Sequence, residues 1–319
     1  MEDYPRNLKE FDLRFAAEEA CREYLLQLRW PDGFRCPRCG CRESSLVRKV
    51  LLRCGACRHQ TSVTAGTILQ DTRTPLRVWF QAMWWVTTQK NGASALGLQR
   101  ILGLPRYETA WTMLHKLRRA MVRPGRDLLT GRIEVDECYI GGLEEGLPGR
   151  LNLEKTLVVV AAQEDGLGIG RIRMRQIRNA SAESLMPFVQ DSIAPGSVIH
   201  TDGWLGYLPL ENKGYEHEVT FLKGKNKTPS ELMPRVHRVI SLLKRWLMGT
   251  HQGAVSHKHL DYYLDEFTFR FNRRRSQSRG KLFFRLVQQA VSVDPTTRYR
   301  IVHPQSGKTE GKPQPVGAW

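Results

Sequence analysis

Long apolar runs are missing from this chain of 319 residues, and that absence rules out a helical membrane span, which needs about 20 consecutive apolar residues. The N-terminal Met-Glu-Asp-Tyr-Pro-Arg also lacks the basic-then-apolar pattern of a signal peptide, so a cytoplasmic protein with no membrane partner is expected. Cysteine is sparse. There are seven, four of them in pairs at metal spacing, which excludes a secreted disulfide scaffold. Acidic residues are short as well: 32 Asp and Glu stand against 49 Lys and Arg, giving a formal charge of +17 and a pI near 9.9. Such an excess matches a polyanionic partner. The basic residues alternate with Gly, Asn, Ser and aromatics, and no strongly amphipathic terminal helix is present, which favours nucleic acid over a lipid surface.

Among the residues that are present, Cys36-Pro-Arg-Cys39 and Cys54-Gly-Ala-Cys57 form two CxxC turns. Each offers two thiolates, and four soft thiolates in a tetrahedron suit Zn²⁺ in a closed, structural site. Leu46 to Arg53 between them reads as a strand, completing a zinc ribbon. Cys41 lies beside the first turn and is the nearest competing ligand, whereas Cys21 and Cys138 read as ordinary buried thiols. Ahead of the ribbon, Ala16 to Leu28 has helical apolar spacing that ends at Pro31-Asp32-Gly33. Behind it comes a Thr- and Gly-rich strand segment from Gln60 to Leu69. Pro75 to Lys90 then forms an aromatic amphipathic helix whose Trp79, Phe80, Met83 and Trp84 read as core. Ala93 to Leu102, a turn at Gly103-Leu104-Pro105 and Tyr107 to Met121 follow the helix-turn-helix plan, with Lys116, Arg118 and Arg119 on the second helix as candidate DNA contacts. A plain helical hairpin fits the same pattern.

From Gly131 the texture changes to strands: Arg132 to Ile140, Thr156 to Gln163 and Ile169 to Gln176. A helix over Ala182 to Ser192, strands at Ser197–Thr201 and His217–Phe221, and helices near Arg235–Leu247, Lys258–Phe271 and Leu282–Val291 complete the order. Three strands in series, then helix, strand, short strand and helix, is the order of an RNase H-like α/β core. The domains expected are therefore an N-terminal helix (1–30), a zinc ribbon (31–72), a helix-turn-helix region (73–125), an RNase H-like domain (131–292) and a tail (293–319) with a disordered end.

Two aspartates stand beside apolar strand segments: Asp136 after Ile133 and Val135, and Asp202 after Val198 and Ile199. Carboxylates at such positions can converge at a sheet edge and bridge divalent ions that clamp a phosphodiester. After Asp202, 34 residues intervene before His237, and Lys244 lies seven positions further on. On a helix Val236, Ile240, Leu243 and Leu247 share one stripe, and His237, Ser241 and Lys244 share another. Glu137 and Glu266 are rival third carboxylates, although Glu137 should point to the opposite side of its strand from Asp136. Lys223-Gly-Lys225-Asn-Lys227 and Arg273-Arg274-Arg275 suit contacts to the DNA backbone.

This arrangement resembles the D-x-34-E signature of DDE-superfamily transposases with its trailing lysine. It is most similar to the zinc-ribbon branch of bacterial insertion-sequence transposases, the fifteen-ninety-five family. The likeness rests on Arg29-Trp-Pro-Asp-Gly33 entering Cys36; Thr64-Ala-Gly-Thr67; Ala110-Trp-Thr-Met-Leu114; Val135-Asp-Glu137; Thr201-Asp-Gly203; Leu243-Lys-Arg-Trp-Leu247 with Gly249-Thr-His251; and Tyr263-Leu-Asp-Glu-Phe267 with Arg270-Phe-Asn-Arg-Arg274. The resemblance implies an enzyme at the bacterial nucleoid that binds double-stranded DNA at insertion-sequence ends, cleaves it and joins the 3′-OH ends to target DNA. It implies Mg²⁺ or Mn²⁺ on Asp136, Asp202 and His237, and Lys244 and Arg245 at phosphates. A homodimer or larger assembly is expected, since two ends must be held together. His237 departs from the general pattern, which has Glu there, and neutral imidazole is a poorer ligand for a hard cation. The other readings are a DNA-binding regulator derived from an inactive transposase and an RNase H-like nuclease that cuts without joining.

Overall fold

The computed structural model describes residues 2–48, 50–123, 125–141, 155–221, 228–253 and 255–304. Contacts divide the chain into two units. One is continuous from Arg126 to Arg274; the other runs from the N-terminus to Gly125 and resumes at Arg275.

The discontinuous unit opens with α1 (Leu8–Arg14) and α2 (Glu18–Arg29). Asn7 starts α1 by accepting the Glu10 N–H, a capping bond that sequence periodicity alone did not reveal. A three-stranded antiparallel sheet follows: β1 (Ser44–Val47), β2 (Leu51–Cys54) and β3 (Gln60–Ser62). The single strand expected from Leu46 to Arg53 is thus a hairpin, because Arg48 takes a left-handed backbone (φ 51°) and reverses the chain without the usual Gly or Asn. The strand expected from Gln60 to Leu69 stops at Ser62 and gives way to turns.

Next come α3 (Leu76–Thr88), α4 (Ala95–Leu102) and α5 (Tyr107–Ala120), and, beyond the other unit, α10 (Arg279–Ala290) and α11 (Arg298–Val302). Phe11, Phe15, Tyr24, Phe80, Trp84 and Phe283 interlock as edge-to-face and stacked rings, with centroids 4.8–6.4 Å apart. The helix containing Phe283, expected in the catalytic domain, therefore belongs to this core. Gly280 makes that packing possible, since a Cβ there would meet the Pro5 carbonyl oxygen.

The continuous unit is a five-stranded sheet made of β4 (Arg132–Ile140), β5 (Thr156–Asp165), β6 (Gly168–Ile177), β7 (Val198–Thr201) and β8 (Glu216–Val219). Its strand order is β6-β5-β4-β7-β8, with the first three antiparallel and β7 and β8 parallel to β4. Strand alternation sends Ile133, Val135, Val159, Ala161 and Ile199 to one face. There they pack on α6 (Ala182–Ser192) and on a 3-10 segment, Leu205–Lys213. Cys138, Val158, Val160, Ala162 and Ile172 face the other way. That side is covered by Val236, Val239, Leu243 and Leu247 of α8 (Pro234–His251), which follows the short α7 (Pro229–Leu232), and by Leu264 and Phe267 of α9 (Leu260–Asn272). The result is a helix–sheet–helix sandwich. Lys223, Lys225 and Lys227 and the tail from 305 onward lie outside the described residues.

Candidate functional site

Two places in the molecule gather chemistry. In the ribbon, the Sγ atoms of Cys36, Cys39, Cys54 and Cys57 all lie within 4.8 Å of one another. Cys36 and Cys57 are 3.6 Å apart, and Cys39 and Cys54 are 3.5 Å apart. A tetrahedron with Zn–S bonds of about 2.3 Å has S–S edges of about 3.8 Å, so the donor set fits zinc. Burial pushes the Cys36 thiol up, but backbone N–H groups of Arg38 and Cys39 outweigh it and bring it down to about 7. Cys39 receives the Cys41 N–H, yet the neighbouring Cys57 and Cys54 sulfurs force it up to about 12. Four thiols packed this closely resist joint ionisation unless a cation joins them. Cys41 serves the knuckle through its backbone, accepting the Cys36 N–H at 2.9 Å, and its thiol is not part of the cluster. Cys21 and Cys138 are buried, each with its thiol pushed up to about 12 chiefly by burial.

The second place is the interior of the five-stranded sheet, where β4 and β7 run parallel. Their pairing matches Arg132 with Val198, Ile133 with Ile199 and Glu134 with His200. The same offset of 66, carried two residues on, aligns Asp136 with Asp202. Both carboxylates are half-buried. Asp136 accepts the Glu137 N–H at 2.8 Å, and Asp202, just past the end of β7, accepts the Trp204 N–H at 3.0 Å. From α8, His237 Nε2 comes within 3.7 Å of Asp136 Oδ2. Lys244 lies two turns along on the same helix and is exposed; its ammonium acts electrostatically on Cys138, the next residue of β4 on the Asp136 face. Among the described residues, the cysteines are the only compact set of three or more ligand side chains, so Asp136, Asp202 and His237 do not form a closed cage.

A buried carboxylate that the sequence pattern did not single out aligns α8. Glu134, fully buried on the Asp136 face of β4, accepts the N–H groups of Arg235 and Val236 at 2.8 Å each and the Arg235 guanidinium at 3.1 Å. The helix has no capping side chain of its own, so a strand residue about a hundred positions away satisfies its first turn. Arg235 also holds Glu164 at 3.0 Å and the Gly166 carbonyl at 2.9 Å. The rival carboxylates are occupied elsewhere. Glu266 is fully buried and paired with Arg270 at 2.9 Å, and Glu137 accepts the Tyr207 phenol on the opposite sheet face from Asp136.

The expected DNA contacts fare unevenly. Arg245 is exposed on α8. Arg118 is 2% exposed, so its guanidinium does not reach the surface, because the face of α5 that carries it is turned into the helical core. Lys116 and Arg119 are half-buried, and burial holds the Lys116 ammonium below its usual range. Arg273 lies over the Phe269 ring at 4.1 Å. Arg274 lies over Phe271 at 3.9 Å and donates to the carbonyls of Phe271, Gly170 and Ile169, so part of its hydrogen-bonding capacity serves the fold.

Comparison with known proteins finds two family matches. Residues 128–272 match the model of an ISXO2-like transposase domain, and residues 16–60 match a transposase zinc-ribbon domain. A curated relative, an uncharacterised protein of the transposable element ISH50 from Halobacterium salinarum, is 26% identical over 276 residues, covering 80% of this chain and 91% of the relative. Superposition on the crystal structure of the Mos1 strand transfer complex covers 66% of this chain and 74% of that one at 14% identity, with a TM-score of 0.26, too low to carry a fold assignment. The two family matches, in the expected order along the chain and each on its own structural unit, place this chain in the family of insertion-sequence transposases that join an N-terminal zinc ribbon to an ISXO2-like transposase domain.

Proposed function

We propose that the chain binds the ends of its own insertion sequence, cleaves the phosphodiester there and joins the freed 3′-OH to target DNA. The observation that supports this most is the alignment of Asp136 with Asp202 on adjacent parallel strands, with His237 brought against Asp136 by α8. The strand order β6-β5-β4-β7-β8, with helices on both faces, is that expected of an RNase H-like core, with Asp136 in the middle of the central strand β4 and Asp202 just past the end of its neighbour β7.

The donor set fits magnesium: two hard carboxylates, half-buried and adjacent, with room left for water and phosphate oxygens. When bound, Mg²⁺ supplies positive charge opposite the phosphate oxygens as one P–O bond forms and another breaks. Asp136 and Asp202 would hold it. His237 would hold it more weakly than a glutamate, or orient a phosphate or water from its place beside Asp136. Lys244 and Arg245, exposed further along α8, would receive the phosphates flanking the reacting one. The ribbon and the α4–α5 helical pair would supply separate DNA contacts, with Lys116 and Arg119 at their edge. Two ends held for joining call for a homodimer or a larger assembly.

The test uses purified zinc-loaded protein, Mg²⁺ or Mn²⁺ and labelled DNA carrying the element's terminal repeats, scored for binding, cleavage and joining with and without Asp202→Asn. Joined product that disappears in the variant is the expected result. Binding without cleavage would instead indicate a DNA-binding regulator, and cleavage without joining a nuclease.

A further inference from the structure

After Asp202 the chain leaves the sheet through Gly203 and Trp204 and enters the 3-10 segment Leu205–Lys213. Several contacts fix this segment against the α6 side of the unit. The Trp204 indole donates to the Ala180 carbonyl at 2.7 Å. Gly206 presses so close that a Cβ would lie 2.4 Å from that carbonyl oxygen and 2.8 Å from Leu185 Cδ1. Tyr207 does something different: fully buried, it reaches across to β4 and donates its phenol to Glu137, the residue next to Asp136.

This contact closes a continuous hydrogen-bonded path between the two aspartates. Asp202 Oδ1 accepts the Trp204 N–H at 3.0 Å, and the Trp204 carbonyl accepts the Tyr207 N–H at 3.0 Å. The Tyr207 phenol donates to Glu137 Oε1, and the Glu137 N–H donates to Asp136 Oδ1 at 2.8 Å. The backbone pairing of β4 with β7 ends before it reaches the aspartates, at Glu134 and His200. Beyond that point the Tyr207–Glu137 bond is a side-chain tie between the loop carrying Asp202 and the strand carrying Asp136.

We propose that Tyr207 and Glu137 are a positioning pair that sets the relative placement of Asp136 and Asp202, and through it the affinity of the site for a divalent cation. This rests on reading the two aspartates as metal ligands. Glu137 acts in it as a hydrogen-bond acceptor and not as a third ligand. Burial and the adjacent carboxylates of Glu137, Asp136 and Asp202 raise the Tyr207 phenol well above its usual range, which keeps it a donor.

The experiment measures Mn²⁺ binding by titration calorimetry on the full-length, zinc-loaded protein without DNA. Tyr207→Phe keeps the ring in the core and removes only the donor; Glu137→Ala removes the acceptor; Glu137→Gln keeps an acceptor oxygen. Each of the first two is expected to weaken Mn²⁺ binding about ten-fold, the range typical for groups that orient metal ligands. The double variant should be no weaker than either single one, and Glu137→Gln should stay near wild type. If Glu137→Gln loses as much as Glu137→Ala, the carboxylate is a ligand and the proposal is wrong. Wild-type affinity in a folded Tyr207→Phe protein would overturn it as well. Should Tyr207→Phe fail to fold, the contrast between the two Glu137 variants still decides. The underlying assignment has its own control: wild-type protein whose Mn²⁺ binding is absent, or unchanged by Asp202→Asn, refutes the metal site itself.

Discussion

Arg118 and Arg245 look alike in the sequence, each being a basic residue on an amphipathic helix, and the structure gives them opposite surroundings. Arg118 is 2% exposed within a helical core, so Arg118→Ala should cost about 3 kcal/mol of stability in denaturant unfolding, as truncation of a large buried side chain does. Arg245 is exposed on α8, eight residues after His237. Arg245→Ala should leave stability unchanged and lower the slope of log affinity against log salt by about 1 in a DNA-binding titration. A stability loss at Arg245 with no change in salt dependence would reverse that assignment. His237 makes a third case. A carboxylate is a better ligand than neutral imidazole for a hard cation, so His237→Glu should lower the Mg²⁺ concentration needed for half-maximal cleavage. A raised requirement would mean that His237 serves a phosphate or water instead of the metal.

At the scale of elements, the ribbon depends on its cation. Chelation should expose Cys36, Cys39, Cys54 and Cys57 to a thiol reagent at pH 8, while Cys21 and Cys138, buried and with their thiols pushed up to about 12, remain unlabelled until the protein unfolds. Mass spectrometry of the labelled peptides reads this directly. The β7–β8 pair makes a pH prediction. His200 bonds Thr220 at 2.7 Å and lies 3.2 Å from the Arg132 guanidinium, and His217 bonds Thr201 at 2.9 Å. Burial lowers both imidazoles below their usual range, and Arg132 adds to the effect at His200. A histidine with a depressed folded-state value binds its proton more readily when unfolded, so its stabilising contribution is full above the unfolded value of about 6.5 and is lost as pH falls through the lower folded value. The melting temperature should therefore decline on acidification below about pH 6.5, and less steeply in His200→Gln. An equal slope in that variant would remove His200 from the account.

These elements also mark what the sequence makes legible. Arg132–Ile140 and Ala182–Ser192 are readable to the residue because each has one clear apolar period bounded by Gly, Ser or Asn. The β1–β2 hairpin is not, since its reversal depends on a left-handed Arg48 where no turn residue stands. Asp136, Asp202 and His237 stand out in the sequence through their apolar strand neighbours, spacing and helix face. Glu134 and Tyr207 do not: their partners, Arg235 and Glu137, are 101 and 70 positions away respectively, and only the folded sheet joins them. Likewise α10 shares a period with the helices before it, but its partners lie in α3 and α2.

At the scale of the molecule, the excess of 49 basic over 32 acidic residues lies almost wholly in the discontinuous unit, where residues 1–125 and 275–319 hold 29 Lys and Arg against 13 Asp and Glu, while residues 126–274 are nearly balanced at 20 against 19. Among the described residues no helix is long and apolar enough to cross a membrane. Asp136 and Asp202, 66 residues apart, are proposed to form one divalent-cation site. It is tested most directly by replacing Mg²⁺ with Fe²⁺ and generating hydroxyl radicals with ascorbate and peroxide, which cut the backbone beside a bound iron. Cuts are expected near Asp136, Asp202 and His237, suppressed by excess Mg²⁺ and absent in Asp202→Asn. Cuts at only one aspartate, or a pattern that survives Asp202→Asn, would contradict it.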